Sequence, residues 1–430
     1  MSSANNSPLS HADGALLNRL PNRWDVVRLK FAVRVRSVKR NVVPEDRYIG
    51  LEHVESWTGR LQNSEDSSAN TEGLGVVFEA GDVLFGKLRP YLAKVFLADR
   101  PGIASTEFLA LQGVRVEAGF LRYCLVSEPF IGAVVAATYG AKMPRANWED
   151  IGNLPQVVPP RQEQRAIADF LDRETAKIDA LIAAQERLIS LLDEKRQATI
   201  THAVTKGLDP NAPMKESGVE WMGKVPQHWG VIPLKRCCRI PNGLVDPAVG
   251  RYATLSLIAP NHVQSGTGRL LEVETADDQG AISGKYHFAE GTVLYSKIRP
   301  ALRKACVAPF EGLCSADMYP IYSTKIRPRL LLYQLLSDYF SSFAILSSDR
   351  VAMPKVNRET IGDFPMVVPP SAEQEVIVRY VDEAVAEIDR LGDRSVKVIE
   401  RLRERRTALI TAAVTGKIDV TRQAVTEAAK

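Results

Sequence analysis

The longest periodic patterns of apolar and polar residues lie at positions 162–205 and 372–415. Neither stretch contains proline, and Gly392 is the only glycine in the two. Apolar residues recur every three to seven positions at Leu171, Ile178, Leu181, Leu188 and Leu192, and in the same register at Val381, Ile388, Leu391, Val398 and Leu402. This spacing predicts two continuous α-helices, each about 65 Å long at a rise of ~1.5 Å per residue.

The residues at the ends of both stretches agree with helices of this length. A Pro-Pro pair precedes each stretch, and Gly207 and Gly416 follow, where a helix often ends in a left-handed residue. Ser371 and Gln374 fit an S-x-x-Q capping box at the start of the second helix. Because the apolar seam is narrow and has a period near 3.5, each helix needs a partner, and we predict that the two helices pair antiparallel.

The helices belong to a larger internal duplication. Residues 143–179 recur as 353–389, and 18 of the 37 positions are identical. Residues 81–94 recur as 291–304 at the same offset of 210, and residues 20–30 recur as 225–235 at an offset of 205. Five residues are therefore gained between Cys237 and Gly291. The two halves differ most at 31–80 and 236–290.

The duplication predicts an alternation of globular bodies and helices with pseudo-twofold symmetry. Each body has short strand-like runs between Gly- and Pro-rich turns, which indicates an α+β fold. We expect two small α+β domains separated by two long helices that form an antiparallel coiled coil. The predicted boundaries are a flexible N-terminus at 1–19, a first domain at 20–160, a helix at 161–210, a second domain at 211–370, a helix at 371–420 and a tail at 421–430.

Composition argues against several classes of protein. The chain of 430 residues carries a net charge of +4, and its surplus of basic residues lies mainly in the second globular body. The five cysteines have no C-x-x-C spacing and the six histidines are scattered, so a disulfide framework or metal centre is not expected. The first residues have no apolar core typical of a signal peptide, and no run of 18 apolar residues occurs, so we expect a cytoplasmic protein without membrane association. No P-loop or Rossmann fingerprint is present, which favours binding over catalysis.

Basic residues cluster twice in each half. The first cluster follows a predicted strand and surrounds a Pro turn, and it comprises Lys87, Arg89 and Lys94 in one half and Lys297, Arg299, Arg303 and Lys304 in the other. The second cluster lies at a Met-Pro corner, and it comprises Lys142 and Arg145 in one half and Arg350, Lys355 and Arg358 in the other. Lys and Arg on loops suit DNA phosphates, and Arg can also read guanine. The alternative is that these residues are solvated surface charges.

Two asparagines recur with the Met-Pro corner and have two interpretations. Asn147 and Asn357 stand at the same position of an M-P-x-x-N sequence. Asparagine can read an adenine edge in the major groove of DNA. It can equally close a turn through an Asx hydrogen bond.

The combination of repeated motifs resembles the specificity subunit of type I restriction-modification systems. Each half has a P-x-x-W start, a G-x-V-L-[FY]-x-K-[LI]-R-P strand and turn, an M-P-x-x-N corner, a P-x-V-V-P-P linker, an E-Q helix start and a helix ending in T-x-A-V-T. The segment Lys215–Trp229 is also similar to the usual start of the second recognition domain in that family. The resemblance extends from about Leu20 to Asp419.

The resemblance implies a non-catalytic subunit that recognises double-stranded DNA. Each body would be a target-recognition domain for one half of a split, asymmetric site, and the helices would set the gap. Two modification subunits and the restriction subunits would be its partners, and they would methylate adenine and cleave DNA. S-adenosylmethionine, ATP and Mg would bind those partners, and this chain would need no cofactor. The alternatives are a coiled-coil scaffold that joins two protein-interaction domains without a DNA role, and a self-contained endonuclease.

Overall fold

The computed structural model describes residues 20–21, 23–62, 73–140, 143–219, 221–348 and 354–420. The predicted flexible N-terminus at 1–19 and the predicted tail at 421–430 lie outside these residues. The chain divides into two compact units. Unit 1 is Met1–Gln185 with Lys397–Lys430, and unit 2 is Glu186–Val396.

Unit 1 contains ten short strands, four short α-helices and the first part of a long helix among its described residues. The strands are β1 (Asp25–Arg28), β2 (Val33–Val35), β3 (Lys39–Asn41), β4 (Tyr48–Ile49), β5 (Leu74–Phe78), β6 (Val83–Gly86), β7 (Val95–Leu97), β8 (Gly102–Ser105), β9 (Phe108–Gly113) and β10 (Pro155–Val158). The helices are α1 (Leu29–Ala32), α2 (Ala118–Val126), α3 (Glu128–Ala136), α4 (Trp148–Ile151) and the long α5 (Arg161–Lys206). Short 3-10 helices lie at Leu51–His53 and Pro90–Leu92.

Unit 2 repeats most of this order. Its strands are β11 (Met214–Glu216), β12 (Lys224–Pro226), β13 (Gly230–Pro233), β14 (Cys238–Arg239), β15 (Leu257–Ile258), β16 (Tyr286–Phe288), β17 (Val293–Ser296), β18 (Ala305–Val307), β19 (Gly312–Cys314), β20 (Met318–Ser323) and β21 (Pro365–Val368). Its helices are α6 (Pro328–Leu336), α7 (Asp338–Leu346), α8 (Arg358–Asp363) and the long α9 (Ser371–Val414), which continues into unit 1. Short 3-10 helices lie at Leu234–Arg236, Gly250–Tyr252, Pro260–His262 and Pro300–Leu302.

Corresponding sheets confirm the predicted α+β fold. A four-stranded sheet with the order β2-β9-β6-β7 in unit 1 matches β14-β20-β17-β18 in unit 2. A second sheet has the order β3-β5-β8-β4 in unit 1 and β15-β19-β16 in unit 2. The pairs β4–β8 and β15–β19 are parallel, whereas the other pairs in these sheets are antiparallel.

A separate strand pair closes each body next to its long helix. β1 pairs antiparallel with β10, and β13 pairs antiparallel with β21. β10 and β21 carry the repeated P-x-V-V sequence that leads directly into α5 and α9. The start of each globular body is therefore hydrogen-bonded to the segment that begins its helix.

The two predicted long helices are confirmed. They match the periodic stretches 162–205 and 372–415 within one residue at each end, but α5 and α9 end four and six residues before the predicted boundaries at 210 and 420. α5 has 46 residues and α9 has 44. In unit 1, Leu171 of α5 and Val414 of α9 belong to one buried cluster, and in unit 2, Val204 of α5 and Val381 of α9 share another. Each unit therefore joins the beginning of one long helix to the end of the other, as antiparallel pairing requires.

The repeated tryptophan holds these helix ends in both units. Trp24 Nε1 donates to Glu163 Oε2 at 3.0 Å near the start of α5, and Trp229 Nε1 donates to Glu373 Oε2 at 2.8 Å near the start of α9. Gly416 and Gly207 have φ of 69° and 76° and pack against the same Trp24 and Trp229 rings. A Cβ on Gly416 would lie 2.6 Å from Pro21 Cδ. The close approach and the positive φ both favour glycine there.

The predicted capping box at Ser371 and Gln374 is wrong. α9 begins at Ser371 itself, and the Gln374 side chain bonds groups other than the Ser371 backbone amide. Its Nε2 donates to the carbonyls of Lys325 and Pro369, both at 3.0 Å, and its Oε1 accepts from Arg327 N at 2.8 Å. Gln164 makes the same kind of bonds in unit 1, to Pro159 O at 2.7 Å and from Glu117 N at 2.6 Å. The E-Q pair therefore fastens each helix to its body.

No single helix in the described residues is long and apolar enough to cross a membrane. α2 and α3 pass such a test only as a pair, and a bend of 61° separates them. Their apolar residues, including Phe120 and Leu121, belong to the buried cluster of unit 1.

Candidate nucleic-acid interface

The first basic cluster in each half lies on a strained turn after a strand. β6 leads into Lys87 and Arg89, and β17 leads into Lys297 and Arg299. Arg89 has φ of 50° and Arg299 has φ of 48°, and each immediately precedes a proline that begins a 3-10 helix. A left-handed backbone costs a non-glycine residue about 1–2 kcal/mol. The same strained arginine in both units marks this turn as a feature that the fold actively maintains.

Backbone hydrogen bonds join this turn to the Met-Pro corner. Arg89 N donates to Pro144 O and Arg299 N donates to Pro354 O, both at 2.8 Å. In the return direction, the amide of the residue before Asn147 bonds Lys87 O at 3.0 Å, and its counterpart before Asn357 bonds Lys297 O at 2.9 Å. Two basic clusters that are about 55 residues apart in the sequence thus form one surface in each unit.

Among the described members of the basic surface of unit 1, Lys87 and Arg89 form no hydrogen bond or ion pair through their side chains, whereas Lys94 and Arg145 do. Arg89 is exposed, and no hydrogen bond or ion pair holds its guanidinium among the residues that the structure describes. Arg145 Nη2 lies 2.7 Å from Glu107 Oε1, and both side chains remain partly exposed. Burial lowers the pKa of Lys87, Glu107 opposes this, and the nearby charges of Lys39 and Arg145 lower it further. The surface is therefore positive and only partly neutralised.

The basic surface of unit 2 rests on aromatic rings. Lys297 Nζ lies 5.4 Å from the centre of the Tyr319 ring, and the Arg358 guanidinium lies 5.5 Å from the same ring. Arg358 also donates to Tyr286 Oη at 3.1 Å. Arg299 and Lys355 are exposed. These contacts hold Lys297 and Arg358 in place, whereas Arg299 and Lys355 remain exposed to solvent.

Three further sequence-predicted cations also bond to the protein itself. Lys94 Nζ donates to Leu51 O at 2.6 Å, and Lys304 Nζ donates to Pro260 O at 2.7 Å. Arg303 Nη1 lies 2.8 Å from Asp338 Oδ1 and also bonds the side chain of Gln197. These side chains link the turn to other segments of the same unit. Lys142 and Arg350 lie outside the described residues.

The recurring asparagines cap short helices. Asn147 Oδ1 accepts from Asp150 N at 2.8 Å at the start of α4, and Asn357 Oδ1 accepts from Thr360 N at 2.8 Å at the start of α8. The structure therefore supports the Asx alternative over the adenine-reading one, because the amide oxygen is already bonded.

A third repeated loop supports the turn, and comparison of the halves at the offsets of 205 and 210 did not reveal it. His53–Arg60 and His262–Arg269 both read H-V-x-S-x-T-G-R, at an offset of 209. The His Nδ1 accepts a backbone amide at 3.0 Å in unit 1 and 3.1 Å in unit 2. Trp57 N donates to Ala93 O, and Gly266 N donates to Arg303 O, so both loops pack against the same position of the turn. The sequence does contain this repeat, but four residues gained before it in the second half shift it from the offset of 205 to 209.

Among the described residues, no group of three His, Cys, Asp or Glu side chains is arranged to hold a metal ion. The five cysteines are free thiols and all are buried. The candidate interface therefore consists of basic side chains on strained turns and of the backbone hydrogen bonds that join these turns to the Met-Pro corners.

Comparison with known proteins places this architecture in one family, although no protein-family model matches the chain. An alignment of 294 positions with the type I restriction enzyme EcoDI specificity subunit of Escherichia coli covers 65% of this chain and 66% of that protein at 30% identity. An alignment of 436 positions with the type I restriction enzyme MjaVIII specificity subunit of Methanocaldococcus jannaschii covers 94% of both chains at 22% identity.

A solved chain from a study of complex assembly and conformational transition in a type I R-M system shares the fold. It superposes with a TM-score of 0.66 at 19% identity, and the match covers 93% of this chain and 100% of that one. With the repeated motifs, the duplicated α+β bodies and the two long helices, these relatives lead to one conclusion: the chain belongs to the family of type I restriction-modification specificity subunits.

Proposed function

We propose that this subunit recognises a bipartite, asymmetric DNA site, with each α+β body contacting one half. It would direct two modification subunits to methylate adenine and restriction subunits to cleave DNA. The observation that carries the proposal is the same strained arginine turn, joined to the same Met-Pro corner, in both units. We place this activity in the cytoplasm, and we assign S-adenosylmethionine, ATP and Mg to the partners.

The chemistry of the two surfaces suits a polyanionic duplex. Exposed Arg89 and Arg299 can contact phosphate or make bidentate bonds to guanine. Because the backbone of each turn is fixed by hydrogen bonds on both sides, less conformational entropy is lost when the arginine is ordered on DNA. The different neighbours of the two arginines favour different half-sites.

The proposed contact residues follow from what each cation already binds. Among the described cations of these clusters, those whose side chains form no hydrogen bond or ion pair are Lys87, Arg89, Lys297, Arg299 and Lys355. Arg145 and Arg358 also bond protein groups, and they stay in the proposal because they lie at the Met-Pro corner beside these residues. Lys142 and Arg350 stay in the proposal on their sequence positions alone. Lys94, Arg303 and Lys304 are proposed as supports of the turn, since their donors bond protein groups.

The long helices are proposed to set the gap between the half-sites. A helix of 46 residues is about 69 Å long at ~1.5 Å rise per residue. Two readers on one face of a duplex are best placed about one or more whole helical turns of ~34 Å apart. Part of the helix length is taken up by packing against the bodies, which leaves room for one to two turns.

The test is selection of DNA by the chain assembled with its modification subunits. A library of random duplexes is bound, recovered and sequenced for the wild type and for Arg89→Glu and Arg299→Glu. We expect the wild type to enrich one split motif, and each variant to lose one half of the motif and keep the other. Each lost phosphate contact should also reduce the slope of log affinity against log salt by about 1.

The matched control is Arg100→Glu in unit 1. Arg100 is also exposed and follows β7, at the opposite end of the β6–β7 hairpin from Arg89. This variant should select the wild-type motif. If the wild type enriches no split motif, or if both reversals leave selection unchanged while the partners still assemble, the proposal fails and the scaffold interpretation replaces it.

A further inference from the structure

The basic surface of unit 1 carries an exposed aromatic ring for which its fold gives no structural reason. Tyr139 is 56% exposed and Met143, four residues later, is 57% exposed. Tyr139 follows α3, whose Ile131 and Val134 are buried in the core. A single exposed aromatic residue is common on a protein surface, so Tyr139 is distinguished by its position beside the basic cluster and not by its exposure alone.

Hydrogen bonds fix Tyr139 beside the proposed DNA-contacting cations. Tyr139 N donates to Arg145 O at 3.2 Å, and Arg145 N donates to Tyr139 O at 3.1 Å. Arg145 also forms an antiparallel bridge with Leu88, the residue between Lys87 and Arg89. Directly opposed residues of an antiparallel pair present their side chains on one face, so Tyr139 and Arg145 lie side by side.

The corresponding position in unit 2 has a different chemistry. At the offset of 210 that relates the two Met-Pro corners, Tyr139 corresponds to Asp349. The ring is therefore not part of the common framework of the two bodies. It belongs with the features that distinguish the first half from the second.

We propose that Tyr139 contacts bases of the first half-site and helps to determine its sequence. This inference rests on the proposed function. The cations on either side would hold the phosphates, and the ring would meet the bases through its apolar face, on a thymine methyl or a base plane. A protein surface is the less favoured occupant because the neighbouring residues Lys87, Arg89 and Arg145 give the patch a positive charge complementary to DNA.

The experiment uses the chain assembled with its modification subunits. Binding is measured on duplexes that carry the selected site and on duplexes with single base changes in each half. Tyr139→Ala should reduce the preference at one or two positions of the first half-site by about tenfold and leave the second half-site unchanged. Tyr139→Phe should retain the wild-type preference, because the ring and not the hydroxyl makes the contact.

Phe31→Ala is the matched control. Phe31 is also an exposed aromatic residue of unit 1, at 62%, and has a cation, Lys30, 5.4 Å above its ring, but it lies in α1 away from the turn. This variant should show wild-type preferences. Because both side chains are exposed, circular dichroism and unfolding should confirm that the three variants fold as the wild type does.

Three results are distinguishable. Unchanged base preference in Tyr139→Ala overturns the inference and leaves the proposed function standing. Weaker assembly with the modification subunits at unchanged base preference also overturns it, and assigns the ring to a protein contact. If the wild type selects no split site, the proposed function itself fails.

Discussion

Two buried arginines at equivalent positions of the long helices should lose very different amounts of stability on the same substitution. In unit 1, Arg406 Nε bonds Asp179 Oδ1 at 3.0 Å, and Arg406 Nη1 bonds Trp57 O at 2.9 Å. In unit 2, Arg196 Nη2 bonds Asp389, but its Nε and Nη1 are buried and have no partner among the described residues. We predict that Arg406→Met strongly destabilises the protein and that Arg196→Met does not.

The predicted loss of stability depends on the groups that lose their partner when each arginine is replaced. The side chain of Asp179 is only 13% exposed, so Arg406→Met would strand a poorly solvated carboxylate and the Trp57 carbonyl. Loss of one partner from a buried pair costs about 3–5 kcal/mol. The side chain of Asp389 is 48% exposed, so water can solvate it after Arg196→Met. That substitution also removes two unsatisfied buried donors, and we expect a net change within about 1 kcal/mol of zero.

Urea unfolding, followed by far-UV circular dichroism and tryptophan fluorescence, measures the unfolding free energy of each variant relative to the wild type. With a slope of about 2–3 kcal/mol per molar urea, Arg406→Met should lower the midpoint by about 1–2 M, and Arg196→Met should change it by less than about 0.5 M. Arg405→Met is the control, because Arg405 is exposed on α9 next to Arg406. Equal losses of stability in the two test variants would refute the reasoning. They would show that the loss does not depend on how many hydrogen bonds the arginine makes or on how buried its carboxylate partner is.

Four further predictions concern stability and thiol chemistry. Gly392→Ala should stabilise the protein by about 1 kcal/mol in urea unfolding, because a Cβ there meets nothing within 4 Å and alanine favours the helix; a loss would contradict this. Gly59→Ala should destabilise it by about 2 kcal/mol or more, since φ is 70° and the Cβ would lie 2.0 Å from Val95 O; an unchanged midpoint would refute this. Gln374→Ala should cost about 1–3 kcal/mol, because the buried Gln374 side chain makes three hydrogen bonds that are lost. Burial raises the pKa of Cys124 from 9.0 to about 12, so the stability that its protonated thiol contributes should be complete below pH 9 and decline from there to pH 12. Native protein at pH 8 should also label slowly with iodoacetamide at Cys124, and fast labelling would contradict this prediction.

The long helices could be predicted from the sequence because their signal is local. Periodic apolar positions, the absence of proline and the terminal glycines all lie within the elements that they define. The prediction of a specificity subunit, a non-catalytic component, is confirmed by relatives that carry this designation. The α+β class followed from short strand-like runs between turns, which are equally local.

The helix starts show where local reasoning fails. Ser371 and Gln374 matched a capping box by spacing alone, but Gln374 bonds carbonyl and amide groups that include Arg327, 47 residues away. Glu163 accepts from Trp24, 139 residues away. Such bonds depend on which segments the tertiary fold brings together, and no local spacing encodes that.

The candidate interface was predictable in its parts and not in its assembly. Sequence reasoning found Arg89 and Arg145 as members of separate clusters, and only the backbone bonds across the turn show that they share a surface. It could not separate Lys94, whose amine binds a carbonyl, from Arg89, whose guanidinium is exposed, because both are basic residues beside one proline. Tyr139 carried no motif and was passed over.

The division of unit 1 between two distant chain segments affects how the protein is made. Ile410 and Val414, near the end of α9, lie in the same core as Trp24 and Phe85. A ribosome that has just completed α5 has therefore not yet produced part of the first body's interior. At about 5–20 residues per second, translation of the missing segment takes on the order of tens of seconds. During that interval the nascent first body must stay soluble with one side of its core uncovered, and a chain terminated before α9 would never cover it.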